Sequence, residues 1–178
     1  VREAIREVDG RGGVGGRRGR GTFVSEEVAD IEDFGFSGLE RLQGQLRDLF
    51  ELRSIFEPKA ARLACQRASE EELRDILVRG EAVERCIRAG QDRTEADRDF
   101  HAAIVPAAHN EFMVRLLPVI HQAVAAAVES GEHGEQLAED TLRDHALLLE
   151  FLAKRDGEGA EHAMAIHMCR SMEVMGLG

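Results

Sequence analysis

The sequence predicts an all-α fold, an antiparallel bundle of about six to seven helices, with a short helix and a β-hairpin at its N-terminus. Three observations predict it. Apolar residues recur at helical spacing almost continuously from Gly38 onward. Only 3 of the 178 residues are proline, so the helical pattern has few breakers. The periodic segments are separated by capping signals and short Gly-containing breaks, which makes sequential helices antiparallel neighbours.

Residues 1–9, VREAIREVD, read as the end of an amphipathic helix with Val1, Ile5 and Val8 on one stripe. The basic, Gly-rich run GRGGVGGRRGRGTFV follows and reads as a hairpin with an arginine-loaded tip. The acidic stretch Ser25–Phe36 has little periodicity and reads as a linker. A first long helix is expected over about 39–67, with Leu49, Leu52, Phe56, Ala60 and Leu63 on its stripe. Pro58 should kink or break it. Ser69 and Glu72 form a capping box that opens a second helix, with Leu73, Ile76, Leu77, Val83 and Ile87 inward and Gly90 as its stop. Thr94 with Asp97 opens a third helix, to about Ala108. A fourth, about 111–129, places Phe112, Leu116, Ile120, Val124 and Val128 on one face. The fifth (about 135–155) and sixth (about 159–175) are parted at Asp156-Gly157.

Composition restricts the functions open to such a bundle. No stretch approaches the roughly 18 apolar residues of a membrane helix, and no signal peptide is readable, so a cytoplasmic, membrane-free protein is expected. The chain opens on Val1 without a Met, which points to sequence upstream. Cys65, Cys86 and Cys169 are odd in number and far apart, which suits a reducing compartment and argues against a disulfide framework or zinc ribbon. The net charge of −11 is asymmetric, because residues 1–24 carry +3 and the remainder −14. The acidic body repels phosphate, whereas the basic head can still meet nucleic acid. Without Trp or Tyr, stacking on single strands is a poor mode.

One constellation carries chemistry. Asp97 and His101 stand four residues apart and leave the same face of the third helix. His145 is in line with Leu142, Leu149 and Leu152 on the fifth helix, and His167 lies among Ala160, Ala163, Met164 and Met168 on the sixth. Three imidazoles and a carboxylate turned into a bundle are costly unless paired or coordinated, and a divalent metal accounts for all four. Zinc is favoured, with nickel or manganese open. Other readings stand beside it: Asp97 as part of a helix cap, each histidine as a satisfied core residue, and the competing histidines 109, 121, 133 and 162.

The head, VREAIREVDGRGGVGGRRGRGTFV, resembles the recognition helix and wing of the GntR family of bacterial transcription regulators. The body resembles the sensing (FCD) domain of that family's FadR-type branch, through ELRSIFEPKAARLACQRA, DRDFHAAI, HN at 109–110 and DHALLLEFLAKRDGEGAEHAM. The resemblance implies a partial winged helix-turn-helix over 1–24, a linker over 25–37 and an effector-binding helical domain over 38–178. It implies a divalent metal on Asp97, His101, His145 and His167, and a small organic acid bound beside it. Arg53 and Asn110 are carried over as effector contacts; the alternative for Arg53 is a solvated surface arginine or a partner for Glu57, and that for Asn110 is a helix cap. Arg2 and Arg6 of the recognition helix, and Arg18, Gly19 and Arg20 of the wing tip, would contact operator DNA. A homodimer is the family's expected state.

Two features depart from the family pattern. The first helices of the winged domain are missing, and GGVGG places glycines where strand residues are usual, so a weakly folded head with feeble DNA binding is expected. The competing function is a helical metalloenzyme, a hydrolase or oxidase using the same Asp/His site. It lacks the paired Glu-x-x-His motifs of a di-metal bundle.

Overall fold

A computed structural model of the chain describes residues 14–17, 21–24, 46–118 and 134–177. The chain divides into two compact units, Val1–Arg41 and Leu42–Gly178. The expected recognition helix with Arg2 and Arg6, the wing tip Arg18, Gly19 and Arg20, the linker, and Ile120, Val124 and Val128 lie outside the described residues.

In the first unit, β1 (Val14–Arg17) and β2 (Gly21–Val24) pair antiparallel. Val14 stands opposite Val24, and Gly15 and Gly16 opposite Phe23 and Thr22. The glycines expected to weaken this strand therefore take full places in the ladder.

Among its described residues the regular structure of the second unit is helical: α1 (Leu46–Arg67), α2 (Glu70–Arg88), α3 (Thr94–Ala107), α4 (Glu111–Val114), α5 (Gly134–Ala153) and α6 (Gly157–Val174). Among the described residues no helix is long and apolar enough to cross a membrane. The caps explain most boundaries. Ser69 and Glu72 close the capping box reciprocally, Ser69 Oγ accepting from the Glu72 amide and the Glu72 carboxylate from the Ser69 amide. Gly90, at φ 63°, supplies the left-handed residue just beyond α2. The expected break at Asp156-Gly157 parts α5 from α6. Its left-handed residue is Arg155 (φ 54°), tied down by hydrogen bonds to the Cys65 carbonyl and Glu70, while Asp156 caps α6 through the Gly159 amide.

Helix α1 packs on α6 and α3, α6 on α5, and α2 on α3 and α5. The α1–α6 seam is built of small residues, Ala60, Ala61 and Ala64 against Ala160 and Ala163, all fully buried. It merges into one core with Phe56, Ile76, Val83, Phe100, Ile104, Leu148, Leu152, Met164 and Met168.

Three expectations are corrected here. Pro58 does not break α1: the helix runs through it, with Phe56, Pro58 and Ala60 buried together, so burial of both halves holds the helix across the lost amide. The buried face of α1 is rotated from the expected stripe. Phe50, Arg53, Glu57, Ala60, Ala61 and Ala64 point inward, whereas Leu49, Leu52 and Leu63 are only half-buried. Phe112 is 76 % exposed, whereas Leu116 of the same expected face packs against the core with Met113 and Leu117, because the helix that Asn110 caps ends at Val114.

Phe100 sits at the centre of the core with no exposure, its ring centroid 4.8 Å from that of His145 and 5.4 Å from that of His101. Truncation by Phe100→Ala should cost about 3–5 kcal/mol of unfolding free energy, the range for deleting a buried aromatic ring. Urea titration measures it; a loss below about 1 kcal/mol would mean that the neighbours collapse into the void.

Candidate metal centre

Three helices deliver the histidines to one point. His101 comes from α3, His145 from α5 and His167 from α6, and their exposures are only 1, 3 and 4 %. One ring nitrogen from each lies within 4.8 Å of the others. His145 Nε2 is 3.4 Å from His167 Nε2 and 3.7 Å from Asp97 Oδ1. Asp97 reaches the cluster because it stands one turn before His101 on α3. It takes no part in the N-terminal cap there: the Asp92 carboxylate accepts from the Thr94 amide, and Thr94 does not cap. Among the competing histidines, His109 pairs with Glu72 at the surface and His162 is exposed. His121 and His133 lie outside the described residues.

The polar inventory fits a cation. His101 Nε2 and Asp97 Oδ1 are buried without a hydrogen-bond partner among the described residues. Leaving such groups unpaired in a core costs on the order of 1–3 kcal/mol each. Burial drives the His145 imidazole down to about 3, against a weaker upward pull from Asp97, with His101, Arg93 and Arg53 adding to the fall. Burial likewise holds His167 well below its ordinary range, helped by His145 and His101. Both rings are therefore neutral at physiological pH, the form in which imidazole binds metal. Three imidazoles and one carboxylate are a borderline-soft donor set that suits zinc, nickel or manganese.

Beside the cluster lies a small cavity of about 40 Å³, open at its mouth, lined by Arg53, Arg93, Asp97, His167, Thr94, Thr141 and Ser171. Arg53 is 2 % exposed, and its Nε donates to Glu57, so it is neither a solvated surface arginine nor free of partners. Arg93 also lines the cavity and forms no salt bridge among the described residues. Asn110 stands apart from the cavity, and its Oδ1 is engaged by the Phe112 and Met113 amides at the start of α4.

Sequence reading gave no place at the metal centre to three residues, although it weighed Glu57 as a partner for Arg53. Glu57 is 1 % exposed and contacts both Arg53 and His101. Asp144 is 3 % exposed, with Oδ2 4.0 Å from His167 Nδ1 and Oδ1 accepting from Arg170. Burial raises the Asp144 carboxyl, and Arg170 offsets it. Arg93 is the third. Each had a faint signal: Glu57 follows Arg53 by one helical turn, Asp144 immediately precedes His145, and Arg93 stands one turn before Asp97.

The FCD domain profile matches residues 48–170, from the first turn of α1 past His167. The galactonate operon transcriptional repressor of Escherichia coli K12 is 28 % identical over 176 residues, covering 92 % of this chain and 74 % of the repressor. An uncharacterized HTH-type transcriptional regulator of Bacillus subtilis 168, YdhC, is 27 % identical over 142 residues, covering 78 % of this chain and 63 % of its own length. Among solved structures, Streptococcus agalactiae GntR superposes with a TM-score of 0.63 at 28 % identity, over 94 % of this chain and 78 % of that one. These relatives are transcription regulators and not enzymes, so the metalloenzyme alternative has no counterpart among them. The chain belongs to the FCD-domain family, in the FadR-type branch of the GntR transcription regulators.

Proposed function

We propose that the helical unit is a metal-dependent sensor of a small carboxylate, and that it governs operator binding by a winged-helix head within a homodimer. The observation that carries this reading is the buried cluster of His101, His145 and His167, flanked by Asp97 and opening on a cavity with two arginines. Asp97, His101, His145 and His167 would hold the cation, zinc being the favoured ion. The ion would supply Lewis-acid coordination to a carboxylate oxygen. Arg93 faces the cavity as the charge available to the acid, and Arg53 forms the wall behind it. Ser171 offers a hydroxyl to a hydroxylated acid, while the Thr94 and Thr141 hydroxyls, which donate to Asp92 and to the Leu137 carbonyl, would accept from it. The repressor of a galactonate operon is among the relatives, and galactonate belongs to that chemical class. Asn110 serves as the α4 cap.

The acid would act by binding one arrangement of the helices more tightly than another, which biases the spacing of two DNA-binding heads. Arg2, Arg6, Arg18, Gly19 and Arg20 would make the phosphate and base-edge contacts.

Thermal melts of chelator-stripped and zinc-reloaded protein, each with a panel of monocarboxylates that includes galactonate, test the reading. A productive acid raises the melting temperature of the zinc form alone. At about 100 times its dissociation constant the stabilisation is about 2.7 kcal/mol. Failure to take up zinc, or an equal response of the stripped protein, would refute the proposal.

A further inference from the structure

The three histidines are not held alike. His101 Nδ1 lies 2.6 Å from Glu57 Oε2, a short hydrogen bond in a fully buried setting. His145 Nδ1 has no partner among the described residues, and His167 Nδ1 stands 4.0 Å from Asp144. Glu57 is fixed in turn by Arg53, whose Nε donates to its other oxygen and whose Nη2 lies 3.5 Å from Oε2. With a guanidinium against it, Glu57 is a carboxylate and only accepts. The ring proton of a neutral His101 must then sit on Nδ1. Its Nε2, which has no hydrogen-bond partner among the described residues, is then the nitrogen that carries the lone pair, in a ring whose centroid is 5.3 Å from that of His145 and 5.2 Å from that of His167.

From this we infer that Glu57 is the positioning residue of the metal centre: it fixes the tautomer and ring orientation of His101, and Arg53 holds Glu57 in place. The inference rests on the metal-centred reading above for its affinity consequence but not for its tautomer consequence. Outer carboxylates of this kind typically change metal affinity by roughly 10- to 100-fold. The arrangement also changes what Arg53 does, since its guanidinium is committed to balancing a buried charge at the cavity wall.

The test uses the full chain. Long-range proton–nitrogen spectra of the histidine rings, recorded on metal-stripped wild-type protein at neutral pH, should show His101 as the Nδ1–H tautomer. Finding Nε2–H there overturns the inference without recourse to any variant. Zinc affinity by chelator competition is then measured for Glu57→Gln, whose amide can offer either an oxygen or an NH₂ group to the ring. The double variant Arg53→Leu/Glu57→Leu is measured alongside it, since it leaves no lone buried charge. Both should bind zinc roughly 10- to 100-fold more weakly than wild type, with an unchanged helical circular dichroism spectrum. Wild-type affinity in either folded variant overturns the inference. If wild-type protein itself takes up no zinc, the metal reading fails, and the tautomer measurement still decides whether Glu57 sets His101.

Discussion

Replacing His145 and His167 together by Ala should abolish metal binding, taking bound zinc from about one ion per chain to none after dialysis. The two rings supply half of the four-residue donor set, and their Nε2 atoms face each other at 3.4 Å, so no single remaining pair reconstitutes the site. Asp97 and His101 would remain on one helix, a two-ligand arrangement that cannot close a tetrahedral shell. The zinc-dependent rise in melting temperature should vanish with the ion, because only the folded state presents the converging ligands. Elemental analysis of the purified variant, paired with melts in zinc and in chelator, measures both effects. Retention of near-stoichiometric zinc would place the metal elsewhere in the chain and remove the chemical centre of the sensor.

Metal-stripped protein should lose stability steadily as the pH falls below about 6.5, the ordinary pKa of histidine. Above that pH, His145 and His167 are neutral in both the folded and the unfolded chain and contribute no pH dependence. Below it, the unfolded chain takes up protons that the folded chain refuses, since burial holds His145 at about 3 and His167 well below its usual value. Unfolding then binds protons, so the folded state weakens with acid until the folded-state pKa is reached. For His145 alone the fall from 6.5 to about 3 amounts to on the order of 4–5 kcal/mol, and His167 adds in the same direction. Glu57 extends the acid limb. Burial alone would raise its carboxyl, but Arg53 and His101 hold it at about 2, so its contribution is full above 4.5 and lost as the pH falls toward 2. Asp144 runs the other way: burial raises its carboxyl, and protonation relieves it. Denaturant midpoints at pH 7.5, 6, 5 and 4 should fall in sequence, and zinc should shift the curve toward acid until protons displace it. A flat profile between pH 6.5 and 4 in stripped protein would contradict the burial of neutral imidazoles.

The sequence alone determined the elements that rest on local chemistry. A capping box at Ser69 and Glu72, a left-handed Gly90 and a continuous 3.6-residue period identify helices whatever surrounds them. The Asp97–His101 spacing put two donors on one helical face, and the apolar neighbours of His145 and His167 turned those rings inward. Convergence was a different matter. Nothing local sets the distance between α3, α5 and α6; the core around Phe100, Leu148 and Met164 sets it. Tertiary structure also decided which charges go inside. Arg53 and Glu57 looked like a solvent-facing pair four residues apart, and only His101 and the cavity wall give them a reason to be buried. That rotation of α1 displaced the expected stripe, and burial on both sides of Pro58 kept the helix whole where its sequence forecast an interruption. Charge burial is favourable only when a partner arrives from elsewhere in the chain, and the identity of that partner is a property of the packed fold.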